Sequence, residues 1–245
     1  MKNIICAYNI SEEIETNLIK LNVNPIKLRG IDKFGEVHPF YPFHPLSYHP
    51  DMFCFRLEEN KWIFYDGVGA DSISALEKTG VKIDFTSAPK SCEYPFDVGL
   101  NAAMFGDYLI CNVKYTNEKI IEYAKQKNKQ IIDVNQGYTK CSVCIVDDNS
   151  IITSDESIYK KAKQNNINVL LIDKGHINLD GYNYGFIGGC SGLINQKDKN
   201  KLAFTGDITL HPNYTDIKNF CDDRGVEIIS LSTKKLYDYG SLLCI

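Results

Sequence analysis

The sequence predicts an α/β fold in which one strand, helix, strand unit is repeated five times, and three observations carry that expectation. The first is the order itself, an apolar segment, a helical run and a second apolar segment, met five times in 245 residues. The second is the spacing: the closing strands begin near Pro25, Val81, Gln130, Val169 and Val226, at intervals of 56, 49, 39 and 57 residues. A unit recurring at such lengths does not bury its apolar face alone and has to pack against its neighbours. The third is the punctuation of the helices. Ser11, Asp71, Thr116, Asp155 and Thr215 can each accept from the free amides of a first helical turn, and Gly80 and Gly225 stand where a left-handed stop is easiest.

Each unit can be followed in order. Ile4 to Cys6 opens the first, Ser11 caps a helix running to about Leu21, and Pro25 to Leu28 closes it. Trp62 to Tyr65 leads through Asp71 and a short helix ending at Gly80 to Val81–Phe85. Met104 to Cys111 reads as one strand, followed by a helix from Thr116 through Ala124 and the apolar segment Gln130–Val134. Ile151 to Thr153, a helix from Asp155 to Asn166 and Val169–Ile172 make the fourth unit; Leu202 to Phe204, a helix from Thr215 to Gly225 and Val226–Ile229 make the fifth. Ile14, Leu18 and Leu21 fall at helical spacing, as do Ile120, Ile121 and Ala124. The N-terminal unit lacks an inner strand of its own, so Ser241–Cys244 is expected to pair with Ile4–Cys6. The competing expectation is an ordinary α/β domain whose units merely look alike.

Composition bounds the rest. A chain with 44% hydrophobic and 24% charged residues is ordinary for a globular protein, and no Gly/Ser-rich or Pro-rich linker divides it, so 1–245 is read as one domain. The N-terminus turns polar at Asn9 and Ser11 and no apolar run reaches the length of a membrane span, which predicts a cytoplasmic protein without a membrane partner. Of the nine cysteines, Cys6, Cys54, Cys111 and Cys144 stand in apolar strand contexts, where a thiol behaves as a small hydrophobe. The net charge of −4 comes without a basic stripe, which argues against nucleic acid and permits a cationic small molecule.

Three segments carry residues that an active site requires: Tyr48–Phe55 with His49 and Asp51, Lys174–Asn178 with His176, and Asp238–Ile245 with Cys244. Each lies at the opening of a strand or in a turn between strands, and in a ring of repeats such positions converge on the axis. Two other patterns are set aside. Cys141-Ser142-Val143-Cys144 has redox or zinc spacing, but Ser142–Val146 reads as a strand, which would turn the two thiols to opposite faces, and no second pair completes a zinc site. Val37–Pro45, with His38 and His44 each followed by proline, reads as an extended aromatic loop beside Asp51. No metal or cofactor is expected.

The architecture resembles the pentein superfamily of guanidine-modifying enzymes, which includes arginine and agmatine deiminases, dimethylarginine dimethylaminohydrolases and amidinotransferases. That resemblance implies a pentein-type α/β propeller of five ββαβ-like repeats around a pseudo-fivefold axis. Gly240 to Cys244 reproduces the spacing between a glycine and the nucleophilic cysteine of the hydrolases. Gly175-His176-Ile177-Asn178 matches a Gly-His-x-Asp motif except that Asn178 replaces the carboxylate, and Asp51 matches an early Asp, with Pro50 where arginine is usual.

By resemblance, Cys244 is the nucleophile, His176 the acid and base, and Asp51 an anchor for the substrate; Asp97, by its position in the second repeat only, is expected as a second substrate-binding carboxylate, with Asn178 and His49 as further substrate-binding residues. The chemistry needs these types: a thiolate attacks the guanidinium carbon while carboxylates hold its N–H groups, and an imidazole moves the protons. The expected function is hydrolysis of an amidine or guanidine C–N bond through a cysteine thiouronium. Amidino transfer, and a pentein that binds a protein or ligand without catalysis, are the alternatives. Each residue also has a plain structural reading: Cys244 as a packing residue, His176 and Asp97 as loop or turn caps, and Asp51 as a strand-entry turn residue.

Overall fold

The computed structural model describes residues 1–30, 45–91, 93–194 and 200–245; the histidines of the Val37–Pro45 segment lie outside them, as does Cys92. Five three-stranded sheets are built to one plan. The first joins β1 (Lys2–Ala7), β2 (Val23–Leu28) and β15 (Leu243–Cys244); the second β3 (Cys54–Glu58), β4 (Lys61–Tyr65) and β5 (Lys82–Thr86). The third joins β6 (Ala103–Phe105), β7 (Tyr108–Cys111) and β8 (Gln130–Asp133). The fourth joins β9 (Cys144–Asp147), β10 (Ser150–Thr153) and β11 (Asn168–Leu171), and the fifth β12 (Ser191–Ile194), β13 (Lys201–Phe204) and β14 (Glu227–Ser230). In every sheet the central strand pairs antiparallel with the inner strand and parallel with the strand that follows the helix.

The ring closes between the termini as expected. Ile4 is in register with Cys244 and Ile5 with Leu243, so the last strand supplies the inner edge that the first unit lacks. The parallel pairings need crossovers, and a helix makes each one: α1 (Glu12–Lys20), α3 (Ala70–Glu77), α4 (Glu118–Gln126), α6 (Glu156–Gln164) and α7 (Tyr214–Asp222). Two further one-turn helices, α2 (Pro50–Phe53) and α5 (Thr139–Ser142), precede inner strands. Each crossover helix buries one pair at i and i+4, Ile14 with Leu18, Ser72 with Leu76, Ile120 with Ala124, Ile158 with Ala162, and Ile217 with Cys221. Against them lie the central strands, whose Ile4, Ile5, Ile63, Phe64, Leu109, Ile110, Ile151, Ile152, Leu202 and Phe204 are wholly buried. No described helix is long and apolar enough to cross a membrane.

The helix stops repeat too. Asn22, Gly80, Asn128, Asn166 and Gly225 follow the five crossover helices at φ between 53° and 86°, the left-handed region that glycine and asparagine tolerate best. Two of the five expected caps form, and three helices start elsewhere. Ser11 accepts from Ile14 N–H and Asp155 from Ser157 and Ile158 N–H, as predicted. The second helix instead starts after Gly69, the third after Asn117, whose side chain accepts from Lys119 N–H, and the last after Asn213. Thr116 donates back to the Asn112 carbonyl, a local bond that competes with capping.

Two strand assignments also change. Met104–Cys111 is a hairpin, because Gly106 at φ 44° turns the chain between β6 and β7; its Cβ would collide with the Asp148 carbonyl. Likewise, the chain from Thr139 to Ser142 is a helical turn rather than strand, and β9 begins only at Cys144.

Candidate functional site

The five segments that lead into the inner strands meet at the axis and hydrogen-bond around it. They supply Asp51, Asn101, Cys141, the pair Gly188-Gly189, and Ser241, one contribution from each sheet. Asn101 Nδ2 donates to the Asp51 carbonyl at 3.2 Å, and Asn101 Oδ1 accepts from the backbone N–H groups of Lys140 and Cys141. Gly189 N–H donates to the Cys141 carbonyl, Ser241 N–H to the Gly189 carbonyl, and Asp51 N–H to the Gly240 carbonyl, which completes the circle. Glycine is required here by space. A Cβ at Gly188 would strike the carbonyls of Lys140 and Val143, and one at Gly189 would strike the Asp238 carboxylate.

Side chains fill the centre of this circle. Cys141 Sγ lies 3.2 Å and Ser241 Oγ 2.6 Å from Asp51 Oδ2. Ser241, held at φ 73°, also reaches the Gly188 carbonyl at 3.0 Å and accepts from Lys140 Nζ at 2.9 Å. Asn101 Nδ2 stands 3.1 Å from Cys141 Sγ. Asp238 Oδ1 lies 3.7 Å from His49 Nδ1, and its carboxylate accepts from the backbone N–H groups of Phe186 and Gly240. Asp51, 1% exposed, keeps one oxygen, Oδ1, buried with no hydrogen-bond partner among the described residues.

Burial dominates the electrostatics. It raises the Asp51 carboxyl above the ordinary carboxylate range, with His49 and Lys140 opposing, and raises Asp238 to about 6 against the two backbone bonds and Lys140. The Cys141 thiol is pushed well above its ordinary value by burial and then by the neighbouring Asp51 and Asp238 charges. A group this shielded ionises only when a positive charge arrives beside it.

Two cavities lined by described residues touch the cluster, and they share no lining residue. The first, about 250 Å³, has an aromatic wall of Tyr138, Tyr182, Tyr184 and Phe186, with Cys141 and Asp238 also lining it. Tyr138 donates to Asp97 Oδ2 at 2.9 Å, and burial lifts Asp97 to about 6. Carboxylates behind aromatic faces suit a cation. The second cavity, about 230 Å³, takes residues from all five inner strands, among them Arg56, Met104, Ile145, Leu193 and Cys244, together with Asp51 and Lys140.

The structure brings Asp51 and His49 into the cluster, where their donor atoms lie within 4.8 Å of each other and of Cys141 Sγ. Asp97 joins through Tyr138. Cys244 lines the second cavity with Asp51 but pairs with Ile4 in β15, its thiol directed to the Ile245 carbonyl at 3.8 Å. His176 is exposed, packs edge-on against His211 at 5.3 Å between ring centroids, and lines neither cavity. Asn178 is exposed and holds the Asp238 segment through its backbone, its carbonyl accepting from Asp238 N–H. Cys141, Asp238, Ser241, Lys140 and Asn101 were not among the expected site residues. The repeat order could have found them, because each stands just before an inner strand or beside one that does.

The sequence matches, over residues 5–243, the family of unknown function DUF6873. No curated protein matches it. Among solved structures, it resembles SxtG, an amidinotransferase of the saxitoxin biosynthetic pathway from Microseira wollei, with a TM-score of 0.54 at 11% identity over 95% of this chain and 88% of that one. An agmatine deiminase from C. jejuni with substrate bound gives a TM-score of 0.45 at 13% identity, over 75% and 68% of the two chains. The five-sheet ring is thus the pentein fold.

Proposed function

Since the chain belongs to DUF6873, a family of unknown function, its activity has to be read from the site, and we propose that it cleaves a C–N bond of a small amidine or guanidine through a cysteine. One observation carries the reading: a thiol hydrogen-bonded to a buried carboxylate, Cys141 to Asp51, lines an aromatic cavity that Asp238 also lines. The fold shared with an amidinotransferase supports it.

In this reading the amidinium enters between Tyr138, Tyr182 and Phe186, with Asp238 accepting from its N–H groups. Its positive charge lowers the cost of ionising Cys141, whose proton passes across the existing bond to Asp51. The thiolate then adds to the amidinium carbon. The C–N bond breaks as the departing amine takes from Asp51 the proton that Cys141 gave up, leaving on Cys141 a thiouronium from a guanidine or a thioimidate from a simple amidine. Water attacks that carbon, the C–S bond breaks, and the thiol is regenerated with its proton; an amine in place of water gives amidino transfer instead.

Cys244, which shares the second cavity with Asp51, is the alternative nucleophile. Binding without turnover is a second reading, favoured by the closed circle of hydrogen bonds around a thiol held protonated. Incubation with a panel of alkyl amidines and guanidines, assayed for released amine or ammonia and for thermal shift, separates the readings. Turnover abolished by Cys141→Ala supports the first, turnover abolished only by Cys244→Ala supports the alternative nucleophile, and a thermal shift without turnover supports binding alone.

A further inference from the structure

We propose that His49, Asp51 and Cys141 also form a binding site for a divalent transition-metal ion, zinc in the first place. The three offer an imidazole nitrogen, a carboxylate oxygen and a sulfur within 4.8 Å of one another, and all three residues are buried. This donor set suits a borderline-soft ion and leaves a fourth position for a water or ligand, as in catalytic zinc sites. Metal–sulfur and metal–oxygen bonds of about 2.3 and 2.0 Å set two tetrahedral donors about 3.5 Å apart, so the 3.2 Å between Cys141 Sγ and Asp51 Oδ2 has to open by only about 0.3 Å.

Independent observations point the same way. Asp51 Oδ1 is buried and has no hydrogen-bond partner among the described residues, a state that normally needs an explanation such as an ion reached by both carboxylate oxygens. The surrounding groups occupy the places of an outer shell. Asp238 Oδ1 stands 3.7 Å from His49 Nδ1, a gap that a shift of about 1 Å closes to the hydrogen bond with which a carboxylate orients a ligating imidazole, Asn101 Nδ2 points at Cys141 Sγ, and Ser241 holds Asp51.

The nearby ammonium of Lys140 does not oppose the site once charges are added. A divalent ion, the Cys141 thiolate, the carboxylates of Asp51 and Asp238 and the Lys140 ammonium sum to zero. Binding exchanges the Cys141 proton for the ion: the S–H bond breaks, the metal–sulfur bond forms, and one proton leaves to solvent. Because the ion takes the same sulfur, it competes with the proposed amidine chemistry, yet its binding does not depend on that chemistry.

The test uses the full chain, stripped with a chelator and dialysed against zinc, with bound metal counted by mass spectrometry. Cobalt(II) provides an optical readout of thiolate ligation. One zinc per chain is expected, with a sulfur-to-cobalt charge-transfer band. Asp238→Asn should weaken binding about 10–100-fold. Zinc should protect Cys141, but not Cys244, from alkylation in the unmodified protein, a readout that does not depend on any variant folding. Absence of stoichiometric metal, or metal that leaves Cys141 alkylation unchanged, overturns the site; neither result bears on amidine binding.

Discussion

Cys141 Sγ lies 3.2 Å from Asp51 Oδ2, although 90 residues separate the two in sequence. The contact exists because α2 and α5 occupy the same place in the second and fourth units, each turning the chain just before an inner strand at the axis. Repetition therefore does more than fill a core: it delivers one chemically distinct residue per unit to a common centre. That relationship gives the predictions their form.

The aromatic wall should contribute directly to cation affinity. Phe186→Leu and Tyr182→Leu are each expected to weaken binding of an alkylguanidinium by about 0.5–2 kcal/mol, the range of a cation–π contact, read by titration calorimetry. Unchanged affinity in both variants would remove the cavity from the substrate path.

Protonation should govern that affinity. Burial raises Asp97 and Asp238 from 3.8 to about 6, so both are partly protonated in mildly acidic solution, and affinity for a cation should rise as the pH climbs through about 6. Stability has the opposite sign. A carboxyl whose folded value is raised contributes fully below about 3.8 and loses that contribution as pH rises through about 6. Melts of the wild type and Asp97→Asn from about pH 4 to about pH 7 should diverge in this window, with the variant losing less. Parallel curves would contradict the assigned burial.

Packing at the circle can be tested without any ligand. Gly188→Ala places a methyl group against the carbonyls of Lys140 and Val143 and should destabilise by about 1–3 kcal/mol, seen in a denaturant melt. Gly80→Ala meets nothing within 4 Å, and its cost comes from φ 86° alone. An equal and negligible effect of both would mean that the circle is not closely packed.

Much of the fold was legible in the sequence, and the reason is local. Ser11 and Asp155 cap where they should, Gly80 and Gly225 stop helices, and the missing inner strand of the first unit predicts the pairing of Ile4 with Cys244. The Gly106-Asp107 pair, a two-residue hairpin signal between the apolar β6 and β7, marks the turn that a single-strand reading of Met104–Cys111 passes over. For the site, Asp51 and His49 were legible because a proline and a strand entry mark them. Cys141 was set aside since a C-x-x-C read as strand sends its thiols apart, whereas a single turn of helix points Cys141 to the axis and leaves Cys144 in β9. His176 attracted attention through its glycine, but that turn is exposed and its ring meets His211. Local motifs could not show which repeat positions face inward; that follows from sheet register.

The reacting thiol distinguishes Cys141 from Cys244 directly. A haloacetamidine carries an electrophilic carbon beside a cationic amidinium, so the aromatic cavity should concentrate it next to one sulfur among nine cysteines. Peptide mapping after brief exposure at neutral pH is expected to find the adduct on Cys141, at a rate that falls at least about tenfold in Asp51→Asn, with an uncharged haloacetamide showing no such selectivity. Selective modification of Cys244, or equal labelling by the charged and uncharged reagents, would contradict the account.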